Sequence, residues 1–317
     1  MLHVGRDGEE SARGRERTAG RGRSAQRNQV RTLVMAIAKV VFVLGATATG
    51  KSKLAIALCK RFGGEVINAD KIQVYAGLPV ITNKVTDDER AGVPHHLLGV
   101  VRDLGADYAP EDFRRDAAAA VAGVLSFGRL PVVAGGSNRY VEALVDGDGG
   151  AFRGAHDVLF LWLDAEPRLL EWHASARVDD MVHAGAVAEA RDAFRGDADY
   201  TCGVRRAIGL PEMHDYQRLL AAEGGGAATD AELAGELARA LWEMKDNTSR
   251  LARAQSEKLR RLSGLNGWDV RRVDVTAVLL RMADGTAFRD STWENVVWEP
   301  CEEMACRFLG NYPTPPP

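Results

Sequence analysis

Cysteine is scarce in this chain, and its few copies are dispersed. Four cysteines occur in 317 residues, namely Cys59, Cys202, Cys301 and Cys306. No secretory pattern is evident ahead of them, so a disulfide framework like those of small secreted domains is excluded. Cys301 and Cys306 have no nearby Cys or His pair to complete a zinc site. We expect four reduced thiols in the cytosol, a plastid stroma or a mitochondrial matrix.

Long apolar runs are also missing. No stretch approaches the roughly 18 apolar residues that a membrane helix requires, so we expect a soluble protein with no membrane partner. Aromatic residues make up only 7% of the chain, but hydrophobic residues reach 46% and charged residues 27%. These fractions are typical of globular proteins and exclude a disordered or fibrous one.

Positive charge is distributed unevenly, and lysine contributes little of it. The chain has eight lysines against 33 arginines. Residues 1–34 carry eight Arg and four acidic residues, whereas the remaining 283 residues hold 33 basic and 40 acidic side chains. A body with that balance lacks the clustered cations of a general nucleic-acid-binding surface.

The first 34 residues have few aliphatic side chains and no hydrophobic period, so we expect a disordered arm. The arm is either an organellar transit peptide, which its four acidic residues argue against, or a stretch ahead of a true start at Met35. The compartment is therefore open between plastid and cytoplasm, with the mitochondrion as a further option.

Strand and helix patterns alternate along the rest of the chain. The patterns predict strands over 40–44, 65–68, 130–134, 158–163 and 268–275, and helices over 53–61, 110–126, 167–195, 230–262 and 293–309. Alternation of this kind predicts an α/β fold, a parallel sheet flanked by helices, with an added helical lobe. We expect an α/β core over 35–165, a mainly helical lobe with part of the acceptor site over 166–262, and a C-terminal strand, helix and disordered tail over 263–317.

A phosphate-binding motif follows the first strand. Residues 45–52, GATATGKS, fit G-x-x-x-x-G-K-[ST] between a predicted strand and a predicted helix, which is the context of a P-loop. Gly45 and Gly50 let backbone N–H groups turn toward an oxyanion, and the helix N-terminus adds its positive end. Lys51 would neutralise a phosphate, and the Ser52 hydroxyl would bind Mg²⁺. The motif predicts a diphosphate or triphosphate ligand without saying which.

Two acidic residues, Asp70 and Asp164, each follow a predicted strand at the sheet edge where α/β proteins bind ligands. A kinase or NTPase needs such a carboxylate near its Mg²⁺, so these activities remain open at this point.

Further segments narrow the choice, because together they resemble the isopentenyl (dimethylallyl) transferase family. That family includes the tRNA dimethylallyltransferases and the adenylate isopentenyltransferases that begin cytokinin synthesis. The segments are NADKIQVY over 68–75, TNK over 82–84, VPHHLLG over 93–99, VAGGSNRY over 133–140, RVDDM over 177–181, RAIG over 206–209 and KDNTSRLARAQ over 245–255. The resemblance extends from about residue 40 to 262 and keeps the family's order.

The resemblance implies that the P-loop holds the diphosphate of dimethylallyl diphosphate. Gly45, Thr49, Gly50, Lys51 and Ser52 would bind that diphosphate with Mg²⁺, and a sixth residue, Arg206, would be a second clamp. Stabilising the charge that collects on a diphosphate leaving group lowers the barrier to transfer of the allyl group.

The same resemblance assigns Asp70 as the general base. The N6 amine of adenine is a weak nucleophile and must lose a proton as the new C–N bond forms. Thr47 would lie near both the allyl oxygen and Asp70. His95 and His96 would be either channel or structural residues, while residues 177–181 and Gln255 would organise the helical lobe.

Candidate contacts to the acceptor nucleotide are more dispersed along the chain. They are Thr82, Lys84, Ser137, Asn138, Lys245 and Lys258, of which the two last would reach the acceptor phosphates.

The acceptor is predicted to be a free adenine nucleotide, with ATP or ADP preferred over AMP. Residues 135–138 read Gly-Gly-Ser-Asn, and their Ser137-Asn138 resembles the plant adenylate type, whereas tRNA enzymes usually have Gly-Gly-Thr-Gly at these four positions. The acidic body of the chain is also poorly suited to binding tRNA. A tRNA dimethylallyltransferase is the alternative, and a P-loop small-molecule kinase the second. We expect a monomer whose partners are dimethylallyl diphosphate and the nucleotide.

Overall fold

The computed structural model describes residues 37–222, 228–285 and 291–310. The predicted N-terminal arm and the Pro-rich tail lie outside these ranges. Within them, no helix is both long and apolar enough to cross a membrane.

A parallel sheet of six strands organises the described part of the chain. In spatial order the strands run β3-β2-β4-β1-β5-β6. They are β1 (Ala38–Gly45), β2 (Gly64–Asn68), β3 (His95–His96), β4 (Leu130–Gly135), β5 (His156–Asp164) and β6 (Val270–Asp274). Central β1 pairs with β4 on one side and with β5 on the other, so the loop after β1 lies in the middle of the sheet's carboxyl edge.

Helices connect the strands and extend beyond them. They are α1 (Lys51–Phe62), α2 (Asp87–Arg90), α3 (Pro110–Ser126), α4 (Asn138–Ala155), α5 (Pro167–His183), α6 (Ala186–Ala193), α7 (His214–Leu220), α8 (Asp230–Ser263), α9 (Thr276–Ala283) and α10 (Glu299–Leu309). Short turns of 3-10 and π-helix lie at Gly203–Arg206 and Glu294–Trp298.

The side chains of β1 alternate between the two faces of the sheet, and both faces are covered by helices. Val41 and Val43 point into one apolar cluster with α1 and α10, whereas Phe42 and Leu44 point into another with α3, α4 and the end of α8. A strand buried on both faces is continuously apolar, which is the pattern of residues 40–44. The predicted fold class is confirmed.

The added helical lobe has an apolar cluster of its own, in which Val178 of α5, Ala186 of α6 and Met244 of α8 meet Ile81. Its helix over 167–195 was predicted as one element, but it is broken into α5 and α6. Gly185 separates them with φ of 102°, a left-handed conformation that ends α5. The predicted domain boundaries stay a prediction.

Two elements near the carboxyl edge were not predicted. Helix α4 starts at Asn138, but its sequence contains Gly147, Gly149 and Gly150, and the backbone is non-helical there. Strand β3 has only two residues, too few for a period. His96 Nε2 lies 2.5 Å from Glu65 Oε2, so the His96 side chain ties β3 to β2 in addition to the strand pairing.

Candidate active site

The phosphate loop lies at the centre of the carboxyl edge. Gly45 ends β1 and Lys51 begins α1, while Gly50 adopts φ of 88° between them. That left-handed conformation favours glycine and turns the chain into the helix. Thr49 is buried, and its hydroxyl donates to the Ala46 carbonyl at 2.8 Å. The loop is therefore braced from inside, with the N-terminus of α1 at its mouth.

Lys51 curls back over this loop. Its Nζ donates to the Ala46 carbonyl at 2.5 Å. Removal of the ammonium from water is the main reason that the pKa of Lys51 falls to about 8, and the nearby Arg177 guanidinium lowers it further, against the opposing effect of Asp70. A bound polyphosphate would stabilise the charged form, because the opposite charges would lie in contact.

A magnesium ion fits this loop with few protein ligands. Ser52 is exposed and is the second residue of α1, so it lies at the helix N-terminus. No group of three or more His, Cys, Asp or Glu within the described ranges could hold a metal ion. Mg²⁺ commonly keeps several waters and binds through one protein oxygen and substrate phosphates. Ser52 is the residue that would hold an Mg²⁺ ion carried with a diphosphate.

Asp70 follows β2 and faces the loop. Its Oδ1 accepts hydrogen bonds from the backbone N–H groups of Ile72 at 2.9 Å and Gln73 at 3.3 Å, which closes an Asx-type turn. Its Oδ2 accepts no hydrogen bond from the residues that the structure describes. One oxygen thus orients the carboxylate, and the other remains available to accept a proton.

The charge of Asp70 is surrounded by cations. The carboxylate interacts electrostatically with Lys51, Lys71, Lys84 and Arg177. Apart from its neighbour Lys71, these cations lie 14 to 107 positions away from Asp70 in the chain. A diphosphate brought beside Asp70 would meet opposite charge on several sides.

Ser137 and Asn138, at the turn between β4 and α4, lie beside the Asp70 loop. The Ser137 hydroxyl accepts from the Lys71 backbone N–H at 2.8 Å, and the Ser137 N–H donates to the Ala69 carbonyl at 3.1 Å. Asn138 Nδ2 donates to the Gln255 carbonyl at 2.9 Å. Both residues therefore contact protein around the site, and their acceptor roles stay predictions.

Thr82 and Lys84 contact each other, and Lys84 interacts electrostatically with Asp70. Lys84 Nζ donates to the Thr82 hydroxyl at 2.6 Å and to the Gly77 carbonyl at 2.7 Å. Burial is the main cause that lowers the pKa of Lys84 to about 8, against the opposing effects of Glu189 and Asp70. Their geometry gives the lysine a fixed direction, while contact with a nucleotide stays a prediction.

A second group of cations surrounds Lys71. Arg206, Lys258 and Arg139 all interact electrostatically with its ammonium, and we call these four residues the Lys71 cluster. Arg206 Nη2 is paired with Asp107 Oδ1 at 2.8 Å. Lys71, Arg139 and Lys258 form no side-chain hydrogen bond or ion pair with any residue in the described ranges. A second concentration of positive charge, in addition to Lys51, therefore lies beside Asp70.

Lys245 and Arg177, both on helices of the added lobe, have surroundings that the sequence did not predict. Lys245 pairs with Asp179 at 2.6 Å between α8 and α5, so its ammonium already has a partner, and its phosphate role stays a prediction. Arg177 was assigned to the helical lobe, but it lies close enough to lower the pKa of Lys51, after the larger effect of desolvation. Its Nε also donates to Asn83 Oδ1 at 3.2 Å. This proximity to the phosphate loop was not predicted from the sequence.

The chain is similar to known proteins over most of its length. The family model described as IPP transferase matches residues 73–154 and 148–261. The curated relatives include the chloroplastic adenylate isopentenyltransferase 5 of Arabidopsis thaliana, 44% identical over 86% of this chain and 80% of that protein. The mitochondrial adenylate isopentenyltransferase 7 of the same plant is 42% identical over 86% and 81%. The adenylate isopentenyltransferase of Humulus lupulus is 37% identical over 84% and 89%.

Solved structures share the fold. A eukaryotic dimethylallyltransferase acting on tRNA superposes with a TM-score of 0.69 and 22% identity, over 88% of this chain and 81% of that chain. The tRNA isopentenylpyrophosphate transferase of Bacillus halodurans gives a TM-score of 0.61 and 25% identity, over 82% and 99%. Since the family model, the relatives and the P-loop sheet agree over most of its length, the chain belongs to the IPP transferase family.

Proposed function

We propose that this protein transfers the dimethylallyl group of dimethylallyl diphosphate to N6 of the adenine of ATP or ADP, with AMP the poorer acceptor. The products are diphosphate and an N6-dimethylallyl adenine nucleotide, the first product of cytokinin biosynthesis. The observation that carries the proposal is the arrangement of Asp70, which has one oxygen fixed in a turn and interacts electrostatically with Lys51 of the phosphate loop.

In this reaction the bond between C1 of the allyl group and the diphosphate oxygen breaks, and its electron pair leaves on the diphosphate. The N6 lone pair forms the new bond to C1, and the N6 proton passes to Asp70 Oδ2. Lys51 and Arg177 balance the negative charge that grows on the leaving group. Mg²⁺, bound with the Ser52 hydroxyl, would supply further neutralisation of the diphosphate.

Three members of the Lys71 cluster would receive the phosphates of the acceptor, while the fourth, Arg206, would clamp the diphosphate of the donor. Lys71, Arg139 and Lys258 offer cationic side chains beside Asp70, so a nucleotide whose amine reaches the base has a cationic region for its phosphate chain. This region is small, and the 283-residue body is acidic overall. A free nucleotide matches it better than a tRNA arm, whose many phosphates require an extended basic face.

Asp164 is the other strand-end carboxylate, and it is buried. Its Oδ2 accepts from Arg272 Nε at 2.8 Å, whereas its Oδ1 has no hydrogen-bond partner among the described residues. The charge of Arg272 opposes use of Asp164 as the Mg²⁺ ligand that a P-loop kinase or NTPase needs at this edge.

The names of the relatives, chloroplastic and mitochondrial, support a plastid or mitochondrial location. A fluorescent fusion of the whole chain, compared with one that starts at Met35, tests it. Organelle import of the longer fusion alone is expected.

One assay tests the proposed function. Labelled dimethylallyl diphosphate is offered in parallel with AMP, ADP, ATP and an unmodified tRNA, with Mg²⁺ present. We expect prenylated ADP and ATP as the main products. Prenylation of tRNA alone would replace the acceptor assignment, and ATP hydrolysis without any prenylated product would overturn the transferase.

A further inference from the structure

Gln255 connects the two loops that carry the candidate site, although the proposed reaction gives it no task. Its Oε1 accepts a hydrogen bond from the Thr47 backbone N–H at 2.8 Å. Its Nε2 donates to the Gly136 carbonyl at 3.0 Å. One side-chain amide therefore joins the phosphate loop to the turn after β4, using its acceptor and its donor at once.

The turn after β4 continues the connection to the candidate base. Ser137, the residue after Gly136, accepts from the Lys71 N–H at 2.8 Å and donates its own N–H to the Ala69 carbonyl at 3.1 Å. Ala69 and Lys71 flank Asp70 in the chain. The path from Thr47 to the Asp70 loop thus runs through Gln255 and Ser137 by four hydrogen bonds.

The helix that carries Gln255, α8, is packed against the rest of the protein along one face. Ala252, Ser256 and Leu259 of α8 are buried, so the face that includes Gln255 packs against the protein. The Gln255 carbonyl also accepts from Asn138 Nδ2 at 2.9 Å. A side chain on a packed helix has a fixed position from which to hold two loops.

The approach of Gln255 to the turn depends on a glycine. A Cβ placed on Gly136 would lie 2.4 Å from Gln255 Nε2, closer than any real contact of that kind. Because the absence of that side chain is needed for the amide to reach the Gly136 carbonyl, the residue type at 136 and the amide at 255 belong to one arrangement.

We propose that Gln255 is a positioning residue for prenyl transfer: its amide sets the distance between Thr47 of the phosphate loop and Asp70 of the base loop. The proposal rests on the proposed function, since it assigns the two loops to donor and base. Gln255 acts through Thr47 and Ser137 and makes no contact with the reacting atoms. A displacement of about 1 Å between reacting groups costs on the order of 100-fold in rate, so an error in this spacing falls on turnover more than on binding.

Two neutral variants test the spacing. Gln255→Met has a similar shape but neither hydrogen bond, and Gln255→Asn keeps the amide on a shorter stem that cannot reach both partners. Glu257→Gln, an exposed change two residues away on α8, is the matched control. The measurements are kcat and KM with ADP, the Kd of inorganic diphosphate with Mg²⁺, Tm, and hydrogen exchange of the Thr47 and Lys71 amides.

We expect kcat to fall about 10- to 100-fold in both Gln255 variants, with the diphosphate Kd within about threefold of the native value. The Thr47 amide should exchange faster in Gln255→Met, and Glu257→Gln should match the native protein in every measurement. A kcat within about threefold of native in Gln255→Met would overturn the proposal. So would a loss of activity that only follows the unfolded fraction seen in the thermal melt.

The same experiments distinguish failure of the proposed function from failure of the inference about Gln255. If the native protein forms no prenylated nucleotide, the function is wrong, yet hydrogen exchange of the two amides still reports whether Gln255 couples the loops. Unchanged exchange at Thr47 and Lys71 in Gln255→Met would overturn the coupling itself.

Discussion

Arg206 Nη2 lies 2.8 Å from Asp107 Oδ1, and the same oxygen accepts the Gly203 backbone N–H at 3.1 Å. Asp107 therefore both orients the arginine and offsets its charge within the Lys71 cluster. Both side chains are partly exposed, so the pair is open to solvent and to salt.

The Arg206–Asp107 pair predicts the effect of Asp107→Asn. An amide oxygen at this position keeps the hydrogen bonds to Arg206 and Gly203, while the compensating charge is lost. We expect the KM for dimethylallyl diphosphate to fall about two- to fivefold at low salt, with kcat unchanged, and the difference to shrink at high salt. Steady-state kinetics at two salt concentrations measure it. A lower KM for ADP alone would show that Arg206 serves the acceptor instead.

Asp70→Asn separates the base from its turn. The asparagine Oδ1 can still accept from the Ile72 and Gln73 N–H groups, so the loop geometry is retained, but no carboxylate remains to take the N6 proton. We expect turnover to fall at least about 100-fold with diphosphate affinity nearly native. Single-turnover rates and calorimetric binding of diphosphate measure the two quantities. Near-native turnover would mean that Asp70 is not the base.

The pKa of Lys51 predicts a pH dependence of donor binding. The charged ammonium binds the diphosphate, and desolvation lowers its pKa to about 8 in the free protein. Affinity should therefore be complete below pH 8 and fall by up to tenfold per unit as the pH rises above it, until the raised pKa of the bound form is passed.

A sulfur-bridged analogue of dimethylallyl diphosphate that cannot transfer its allyl group suits this measurement, because its phosphates are ionised well below pH 8. Lys84→Met is the control, since Lys84 also has a pKa of about 8 but its ammonium donates to the Thr82 hydroxyl and the Gly77 carbonyl instead of the phosphate loop. The fall in affinity should persist in Lys84→Met and disappear in Lys51→Arg, whose side chain stays charged. Persistence in Lys51→Arg would assign the titration to another group.

The Lys71 cluster predicts a selective loss of nucleotide affinity. In Lys258→Ala we expect the KM for ATP and ADP to rise about three- to tenfold, because a cation that meets the acceptor phosphates is gone, while the KM for dimethylallyl diphosphate stays within about twofold. Arg250→Ala, an exposed change on the same helix, is the control. Lys245→Ala belongs in the same series, because its pairing with Asp179 leaves its predicted phosphate role open. An equal rise of both KM values in Lys258→Ala would contradict a role confined to the acceptor.

The parts of the molecule that could be predicted are those with contiguous signals. The apolar run of β1, the motif from Gly45 to Ser52 and the period of α3 each lie within one segment, and the structure places the strand, loop and helix there. The break at Gly185 was missed because the apolar period continues on both sides of it. The proximity of Arg177 to Lys51 and of Gln255 to Thr47 was not predicted, because these pairs are 126 and 208 residues apart along the chain. Such proximity is set by packing of α5 and α8 against the sheet, which no local pattern records.

Gly136→Ala gives a last prediction, because it disrupts the hydrogen bond between Gln255 and Gly136 by changing the glycine instead of the glutamine. Its new Cβ would lie 2.4 Å from Gln255 Nε2, so the amide must withdraw from the Gly136 carbonyl. We expect kcat to fall about as far as in Gln255→Met, and the double variant to be little worse than either single one, since both changes remove one shared connection. A double-mutant cycle on kcat measures this coupling. Losses that multiply in the double variant would show that the glycine and the amide act independently, and Gly136 would then serve only the backbone turn beside Ala69.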